Sequence, residues 1–141
     1  MPINVTDVWF GYRTGQSVVR GASFAVADGE MLALTGPSGS GKSTLLGLLG
    51  HLLRPQTGTI TGAPALSDTR WIFQVPTALG RRTVLDNVRL ALLLTTSEPS
   101  RTRTALDALS RVGLDECATR RTNTLSGGQL QRVQVARALD D

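Results

Sequence analysis

The stretch GPSGSGKST, Gly36 to Thr44, decides the fold class of this chain. It fits the pattern G-x-x-x-x-G-K-[ST] and follows a short apolar run, MLALT at 31–35. That run is typical of a strand buried on both faces. Leucines from Leu45 to Leu52 have the spacing of a helix, which Pro55 must end. A strand, a glycine-rich turn and a helix in this order predict a phosphate-binding loop.

The residue types of this phosphate loop indicate its chemistry. Glycines let backbone N–H groups converge on phosphate oxygens, and the following helix N-terminus adds partial positive charge. Lys42, the only lysine in the sequence, is expected to reach the β- and γ-phosphates, and the Ser43 hydroxyl to bind Mg²⁺. The alternative, a turn that binds nothing, is disfavoured by the flanking strand and helix. The predicted nucleotide contacts are Gly36, Pro37, Ser38, Gly39, Ser40, Gly41, Lys42, Ser43 and Thr44.

A second glycine-rich stretch, LSGGQ at Leu125 to Gln129, precedes the helical pattern LQRVQVARAL. We call it the signature motif. Ser126 is the expected N-cap, and a serine hydroxyl with two bare backbone amides at a helix start can hold a γ-phosphate. Taken alone, the motif is better explained as an ordinary capped helix with a Gly-Gly start. The helix carries an apolar stripe at three-residue steps, formed by Leu130, Val133, Ala136 and Leu139.

The phosphate loop followed by this signature motif and helix resembles the ATP-binding cassette (ABC) proteins, and the resemblance covers the whole chain. It implies an α/β P-loop NTPase fold with an antiparallel β subdomain. The cassette would span residues 1–141 as one domain, with a helical insert at about 76–125. It also implies ATP and Mg²⁺ as cofactors. The residues that would contact the nucleotide from the motif are Ser126, Gly127, Gly128 and Gln129.

The same resemblance assigns roles to two further residues. Tyr12, in FGYR, matches the aromatic residue that stacks on adenine; without the family it is simply a strand aromatic. Gln74, in WIFQ, matches the glutamine that reaches toward Mg²⁺ and the attacking water; alone it is a solvated strand end. Gln74 and Lys42 are therefore the expected catalytic residues. His51 comes too early to be the family's switch histidine and is expected to be a helix-surface imidazole.

The rest of the chain has patterns of both strand and helix. Thr14-Gly15 separates two strand-like runs, 5–12 and 17–26, and Asp28-Gly29 ends the second, so an antiparallel hairpin is predicted. Strands are predicted at 5–12, 17–26, 57–61 and 70–74. Helices are predicted at 84–94 and 105–112, the latter capped by Gly113.

Composition limits the class of protein. The net charge is +4, but the basic residues are scattered, and only Arg81-Arg82 and Arg120-Arg121 are adjacent. No aromatic residues interleave with them, so nucleic acid is not an expected partner. The single Cys117 predicts a reducing compartment and no disulfide. The chain starts without a secretory signal, and its longest apolar run, Leu90 to Leu94, is too short to cross a bilayer.

The resemblance also implies partners and a location. Two copies would bind two ATP molecules head to tail, each between the phosphate loop of one copy and the signature motif of the other. Transmembrane permease subunits would carry out the transport, with the cassette cytoplasmic and peripheral at the inner face of the cell membrane. The segment 76–94 is similar to ABC ATPases of lipoprotein-release, peptide-export and macrolide-export systems.

In the family, a magnesium-binding Asp, a catalytic Glu and a switch His follow the signature helix. In the present sequence only Asp140-Asp141 follow it. The earlier stretch LLLTTSEPS, Leu92 to Ser100, precedes the motif and does not replace them. A positioned general base is worth about 100- to 10,000-fold in rate, so slow or no hydrolysis is expected of residues 1–141 alone. The strand at 31–35 is expected to have an uncovered apolar surface. The alternatives are a non-catalytic nucleotide-binding module and a soluble ABC ATPase acting on nucleic acid or ribosomes.

Overall fold

The computed structural model describes residues 1–93, 96–98 and 100–139. The chain divides into two compact units, Met1–Thr69 and Arg70–Asp141, each with its own cluster of buried apolar residues. The predicted helical insert at about 76–125 falls within the second unit, and its bounds stay a prediction. Asp140 and Asp141 lie outside the described residues.

The first unit is built on a three-stranded antiparallel sheet. Its strands are β1 (Ile3–Phe10), β2 (Val19–Val26) and β3 (Thr57–Thr61), in the order β2-β1-β3. Gly15 has a φ of 79°, a left-handed value that suits glycine in the turn between β1 and β2. The predicted hairpin and the strand at 57–61 are confirmed.

One helix, α1 (Lys42–Leu49), shares the core of the first unit with the sheet. Val5 and Val8 of β1, Val19 of β2 and Leu48 of α1 form the buried cluster. Burial of each such side chain is worth about 1.5–3 kcal/mol relative to exposure. The start of α1, and with it the phosphate loop, is therefore placed by packing against the strands.

Helix α1 ends earlier than the sequence predicts. Gly50, not Pro55, terminates it, and the N–H of Gly50 donates to the Leu46 carbonyl at 2.9 Å. The backbone then turns through a left-handed residue, His51, with a φ of 59°. His51 is thus beyond the helix instead of on it, and its Nε2 lies 2.9 Å from the Pro64 carbonyl oxygen.

Two predicted strands do not form. Neither the run at 31–35 nor the run at 70–74 is part of a strand, and Met31 is 96% exposed. A strand buried on both faces requires neighbours that pair with its backbone and cover its side chains. Within the described part of the chain, no strand pairs with either run. The uncovered apolar surface expected at 31–35 is confirmed.

Three helices make up most of the second unit: α2 (Val84–Ala91), α3 (Ser100–Arg111) and α4 (Gly127–Ala138). Short 3₁₀ turns occur at Asp115–Cys117 and Thr122–Thr124, and at Leu66–Asp68 in the first unit. Helix α2 ends before the predicted limit of Leu94, which lies outside the described residues. The core residues are Val84, Val88, Leu92, Ala105, Ala108, Leu109, Leu114, Cys117, Ala118, Val133 and Ala136.

The ends of these helices follow the local sequence. Thr83 caps α2, and its side chain accepts a hydrogen bond from the Asp86 N–H at 3.0 Å. Gly113, with a φ of 66°, follows the end of α3 as predicted. Cys117 is buried, as expected of an ordinary thiol.

An exposed ion-pair group joins α2 to the start of α3. Glu98 Oε1 lies 2.8 Å from the Nη2 of Arg89 and 3.3 Å from the Nη1 of Arg101. The hydrogen bond from Arg89 is the main cause that lowers the pKa of the Glu98 carboxyl below its ordinary value. The pairing therefore persists at neutral pH and is lost as the pH falls through that lowered pKa.

The helices of the described ranges all fall short of the length and apolar content that a bilayer crossing requires.

Candidate nucleotide site

Three glycines of the phosphate loop, Gly36, Gly39 and Gly41, have a φ that favours glycine, and two of them also have a close neighbour. Gly41 precedes α1 with a φ of 91°, and a Cβ there would lie 3.0 Å from the Val18 carbonyl oxygen. Gly36 has a φ of 144°, and a Cβ there would lie 3.1 Å from the Ser40 Oγ. Both positions combine a conformation that L side chains rarely adopt with a close neighbour. Among the loop glycines, these two are therefore the least replaceable.

The first turn of α1 is open to an anion. No side chain caps the helix, and its first turn contains no acidic residue. The first four N–H groups of a helix lack partners within the helix and carry partial positive charge. A phosphate group would satisfy these donors.

Lys42 places its ammonium inside the phosphate loop. Its Nζ donates to the carbonyl oxygens of Gly36 at 2.9 Å and Pro37 at 2.7 Å, and to the Ser40 Oγ at 3.3 Å. These oxygens are neutral, and in the described part of the chain no carboxylate forms an ion pair with Lys42. Its positive charge is therefore held in place without being neutralised.

Ser43 and Thr44, which follow Lys42, face different surroundings. Ser43 is exposed, whereas Thr44 is 6% exposed and its Oγ1 lies 3.2 Å from the Tyr12 hydroxyl. The Tyr12 ring is 65% exposed and meets Phe10 edge to face at a centroid distance of 5.1 Å. The structure thus brings Tyr12 next to the start of α1 and leaves its ring free to stack on a ligand.

A pocket of about 340 Å³ adjoins the phosphate loop within the first unit. Arg20 of β2 and Lys42 both line it, together with Gly36, Pro37 and Ser40. Two cations with no carboxylate in the lining favour an anionic occupant. No sequence pattern distinguishes Arg20, because it is one of many scattered arginines.

The signature motif forms a complete capping box in the second unit. The Ser126 Oγ accepts from the Gln129 N–H at 3.3 Å, and the Gln129 Oε1 accepts from the Ser126 N–H at 3.0 Å. The Gln129 Nε2 also donates to the Cys117 Sγ at 3.7 Å. The side chain of Gln129 is therefore engaged within the motif and fixes its shape.

Gly127 and Gly128 have a different reason to be glycine. Neither has a left-handed φ, and a Cβ built on either would meet nothing within 4 Å. The surroundings in the described chain thus leave room for a larger side chain at both positions. What glycine provides here is access to the backbone amides of the first turn of α4 from outside.

Gln74 lies exposed in the second unit, in the run predicted as a strand. The residue before it is held by α4, since the Gln134 Oε1 accepts from the Phe73 N–H at 3.1 Å and the Gln134 Nε2 donates to the Phe73 carbonyl at 3.3 Å. Gln74 and the signature motif are thus in one unit, and Tyr12 and the phosphate loop are in the other.

Comparison with known proteins agrees with these features. Residues 19–141 match the family described as ABC transporter. The chain is 40% identical to an uncharacterised ABC transporter ATP-binding protein of Thermotoga maritima, over 97% of this chain and 66% of that protein. It is 37% identical to the lipoprotein-releasing system ATP-binding protein LolD of Geobacter metallireducens, over 97% and 69%. The chain thus spans about two thirds of the length of these relatives.

Solved structures give the same result. The dimeric bacterial ABC transporter cassette MJ0796 is 31% identical, with a TM-score of 0.83 over 97% of this chain and 68% of that one. CbiO1 from Clostridium perfringens, part of the ABC transporter complex cbiONQ, is 25% identical, with a TM-score of 0.84 over 96% and 60%. These similarities confirm the predicted fold class, a P-loop NTPase of the ABC ATPase type.

Replacing Thr44 by valine tests the placement of Tyr12. Thr44→Val keeps the shape of the side chain but removes the hydroxyl that bonds to Tyr12. Since such a bond is worth about 1 kcal/mol, ATP should bind about twofold to fivefold more weakly, and inorganic tripolyphosphate, which has no base to stack on Tyr12, should be weakened less. Isothermal titration measures both ligands.

Thr61→Val makes the same change at an exposed position of β3 and should leave both affinities unchanged. An equal loss for ATP and tripolyphosphate in Thr44→Val would contradict the proposed part of Tyr12.

Proposed function

The chain belongs to the ABC transporter family, and from this premise we propose that it binds ATP and uses its binding and hydrolysis to drive transport through partner membrane subunits. The observation that carries the proposal is the Lys42 ammonium, which neutral oxygens hold at 2.7–3.3 Å inside the phosphate loop. A charge fixed in this way, beside uncapped helix amides, is suited to a triphosphate.

The phosphate loop would bind the phosphates through backbone and side chain together. Amides of the first turn of α1 donate to phosphate oxygens, and Lys42 transfers its hydrogen bonds from the loop carbonyls to the β- and γ-phosphates. A bound Mg²⁺ would supply positive charge that offsets the charge of the phosphates. The exposed Ser43 hydroxyl of the phosphate loop is a hard oxygen ligand of the kind this ion prefers, so the loop fits it. The family resemblance assigns Gln74 as a further ligand.

The nucleoside end is assigned to Tyr12. Its exposed ring offers a flat apolar face to adenine, and the hydroxyl contact with Thr44 fixes the ring relative to the helix that holds the phosphates. Stacking on an aromatic side chain is worth about 1–3 kcal/mol per base in nucleic-acid sites. Base and phosphates would thus be bound by neighbouring parts of the first unit.

The signature motif would bind the γ-phosphate of an ATP held by a second copy of the chain. The Ser126 Oγ uses a lone pair to accept from Gln129, so its own proton is available to a phosphate oxygen. Open space at Gly127 and Gly128 supports this, because it admits a ligand to the amides. The solved cassette MJ0796 is a dimer, which supports the pairing of two copies.

The membrane partners and the location are proposed from the similarity of the chain to cassettes of known transporters. CbiO1 is part of a transporter complex, and a bacterial Atm1-family exporter with bound ATP contains a similar cassette, 25% identical with a TM-score of 0.81. We accordingly assign the chain to the cytoplasmic face of the membrane, beside permease subunits. The identity with LolD supports the lipoprotein-release type indicated by residues 76–94.

Removing the lysine tests the phosphate site. Lys42→Ala should weaken ATP binding about 10- to 100-fold, because a hydrogen bond to a charged group is worth about 1.5–3 kcal/mol. Fluorescent nucleotide titration measures the loss. Arg54→Ala removes one exposed charge from the same unit and should bind normally. Equal affinities of Lys42→Ala and the wild type would refute the site.

The slow hydrolysis expected of residues 1–141 stays a prediction. A phosphate-release assay on this polypeptide should give little turnover, and turnover that Lys42→Ala abolishes would show the expectation to be wrong.

A branched side chain at the signature motif should separate folding from pairing. Gly127→Val meets no neighbour in the chain, so the helical circular dichroism should be unchanged. The side chain would nevertheless block the amides of α4, so ATP should no longer promote dimer formation in analytical ultracentrifugation. Gln131→Val, exposed on the same helix, is the control. ATP-dependent dimers of Gly127→Val would contradict the assignment.

A further inference from the structure

Gln134 is a buried polar side chain on α4, only 4% exposed. Its amide makes two hydrogen bonds to one residue: Oε1 accepts from the Phe73 N–H at 3.1 Å, and Nε2 donates to the Phe73 carbonyl at 3.3 Å. Both partners are backbone atoms, so the contact does not depend on the Phe73 side chain. It fixes the main chain immediately before Gln74.

The Gln134 amide makes the same pair of hydrogen bonds to Phe73 that a residue of a neighbouring strand would make. In an antiparallel ladder, one residue exchanges both its N–H and its C=O bonds with the residue opposite. The Gln134 amide supplies the same acceptor and donor to Phe73 from a helix. The backbone that enters Gln74, although not part of a sheet, is therefore held at both of its polar groups.

One turn further along α4, a second side chain holds the other end of this segment. The Arg137 Nη1 donates to the Thr77 carbonyl at 2.6 Å. Residues three apart on a helix lie on the same face. Side chains on one face of α4 thus hydrogen-bond to the backbone on both sides of Gln74, at Phe73 and at Thr77.

We propose that Gln134 is a positioning residue for Gln74: its two hydrogen bonds hold the backbone of Phe73 and so fix where the chain enters Gln74. This inference rests on the proposed function, in which Gln74 is a magnesium ligand. Helix α4, which carries Gln134, begins at the signature motif and is stabilised there by its capping box.

A purely structural glutamine would behave differently. Its loss would lower stability but leave unchanged the extra affinity for ATP that Mg²⁺ provides. The two interpretations are therefore separated by comparing ATP binding in Mg²⁺ with ATP binding in EDTA, since Gln74 is assigned to the metal alone.

The test replaces Gln134 by methionine, which keeps the length of the side chain but offers no amide. The gain in ATP affinity on adding Mg²⁺ should fall about fivefold in Gln134→Met, and the affinity in EDTA should stay unchanged. Gln131→Met, exposed on the same helix, is the matched control and should equal the wild type in both conditions. Titrations use the intact chain.

A second readout follows the Phe73 backbone directly. Hydrogen exchange of the Phe73 amide should be faster in Gln134→Met without nucleotide. In a Trp9→Phe background Trp71 is the remaining tryptophan, and it stacks on Phe73 at a centroid distance of 5.7 Å. Its emission should respond to Mg²⁺-ATP when Gln134 is present and not in Gln134→Met.

Each outcome has a distinct meaning. A wild type that binds no ATP in either condition refutes the proposed function and this inference with it. A wild type with a magnesium-dependent gain that Gln134→Met retains refutes the inference alone. Should Gln134→Met unfold, Gln134→Glu keeps the size and the Phe73 N–H bond, and its gain should fall about twofold. A gain equal to that of the wild type in Gln134→Glu would then refute the positioning role.

Discussion

The close approach of Gly41 to the Val18 carbonyl is the constraint on which the candidate phosphate site depends. A Cβ at Gly41 would lie 3.0 Å from that oxygen, and the φ of 91° excludes most other residues. Only with this glycine can α1 begin directly beside β2 and share the core of the sheet. The next residue, Lys42, then returns its ammonium to the loop that precedes it. Sheet packing, helix start and charge placement are thus consequences of one backbone contact.

The glycines of the two motifs contrast in a way that bears on function. Those of the phosphate loop are required by the chain itself, through left-handed backbone and close neighbours at Gly36 and Gly41. Gly127 and Gly128 have neither requirement, so the reason for them lies in what approaches from outside. Gly36 and Gly41 allow the backbone shape of the phosphate loop, whereas Gly127 and Gly128 leave the start of α4 open to an approaching group. A chain with both kinds fits an assembly in which each copy offers its partner a surface.

The features that the sequence predicted well are local ones. The phosphate loop, the Ser126 cap and the turn at Gly113 are each set by residues a few positions apart. The predictions of strands at 31–35 and 70–74 were wrong. A strand forms only where another strand pairs with it, and an apolar run alone cannot show that a partner is present. The contacts of Tyr12 with Thr44 and of Phe73 with Gln134 join residues 32 and 61 positions apart, and no periodicity of the sequence indicates them. Both are nevertheless central to the candidate site.

The Lys42 ammonium has a practical consequence for chemical labelling. It is the only lysine amine in these 141 residues, and it sits among the oxygens that would be displaced by a triphosphate. An acylating reagent directed at primary amines can therefore modify one side chain, together with the amine of Met1, and the former reports on occupancy of the loop. A nucleotide bound in the loop would protect the Lys42 amine from acylation, and mass spectrometry of the one peptide that contains Lys42 would measure this protection.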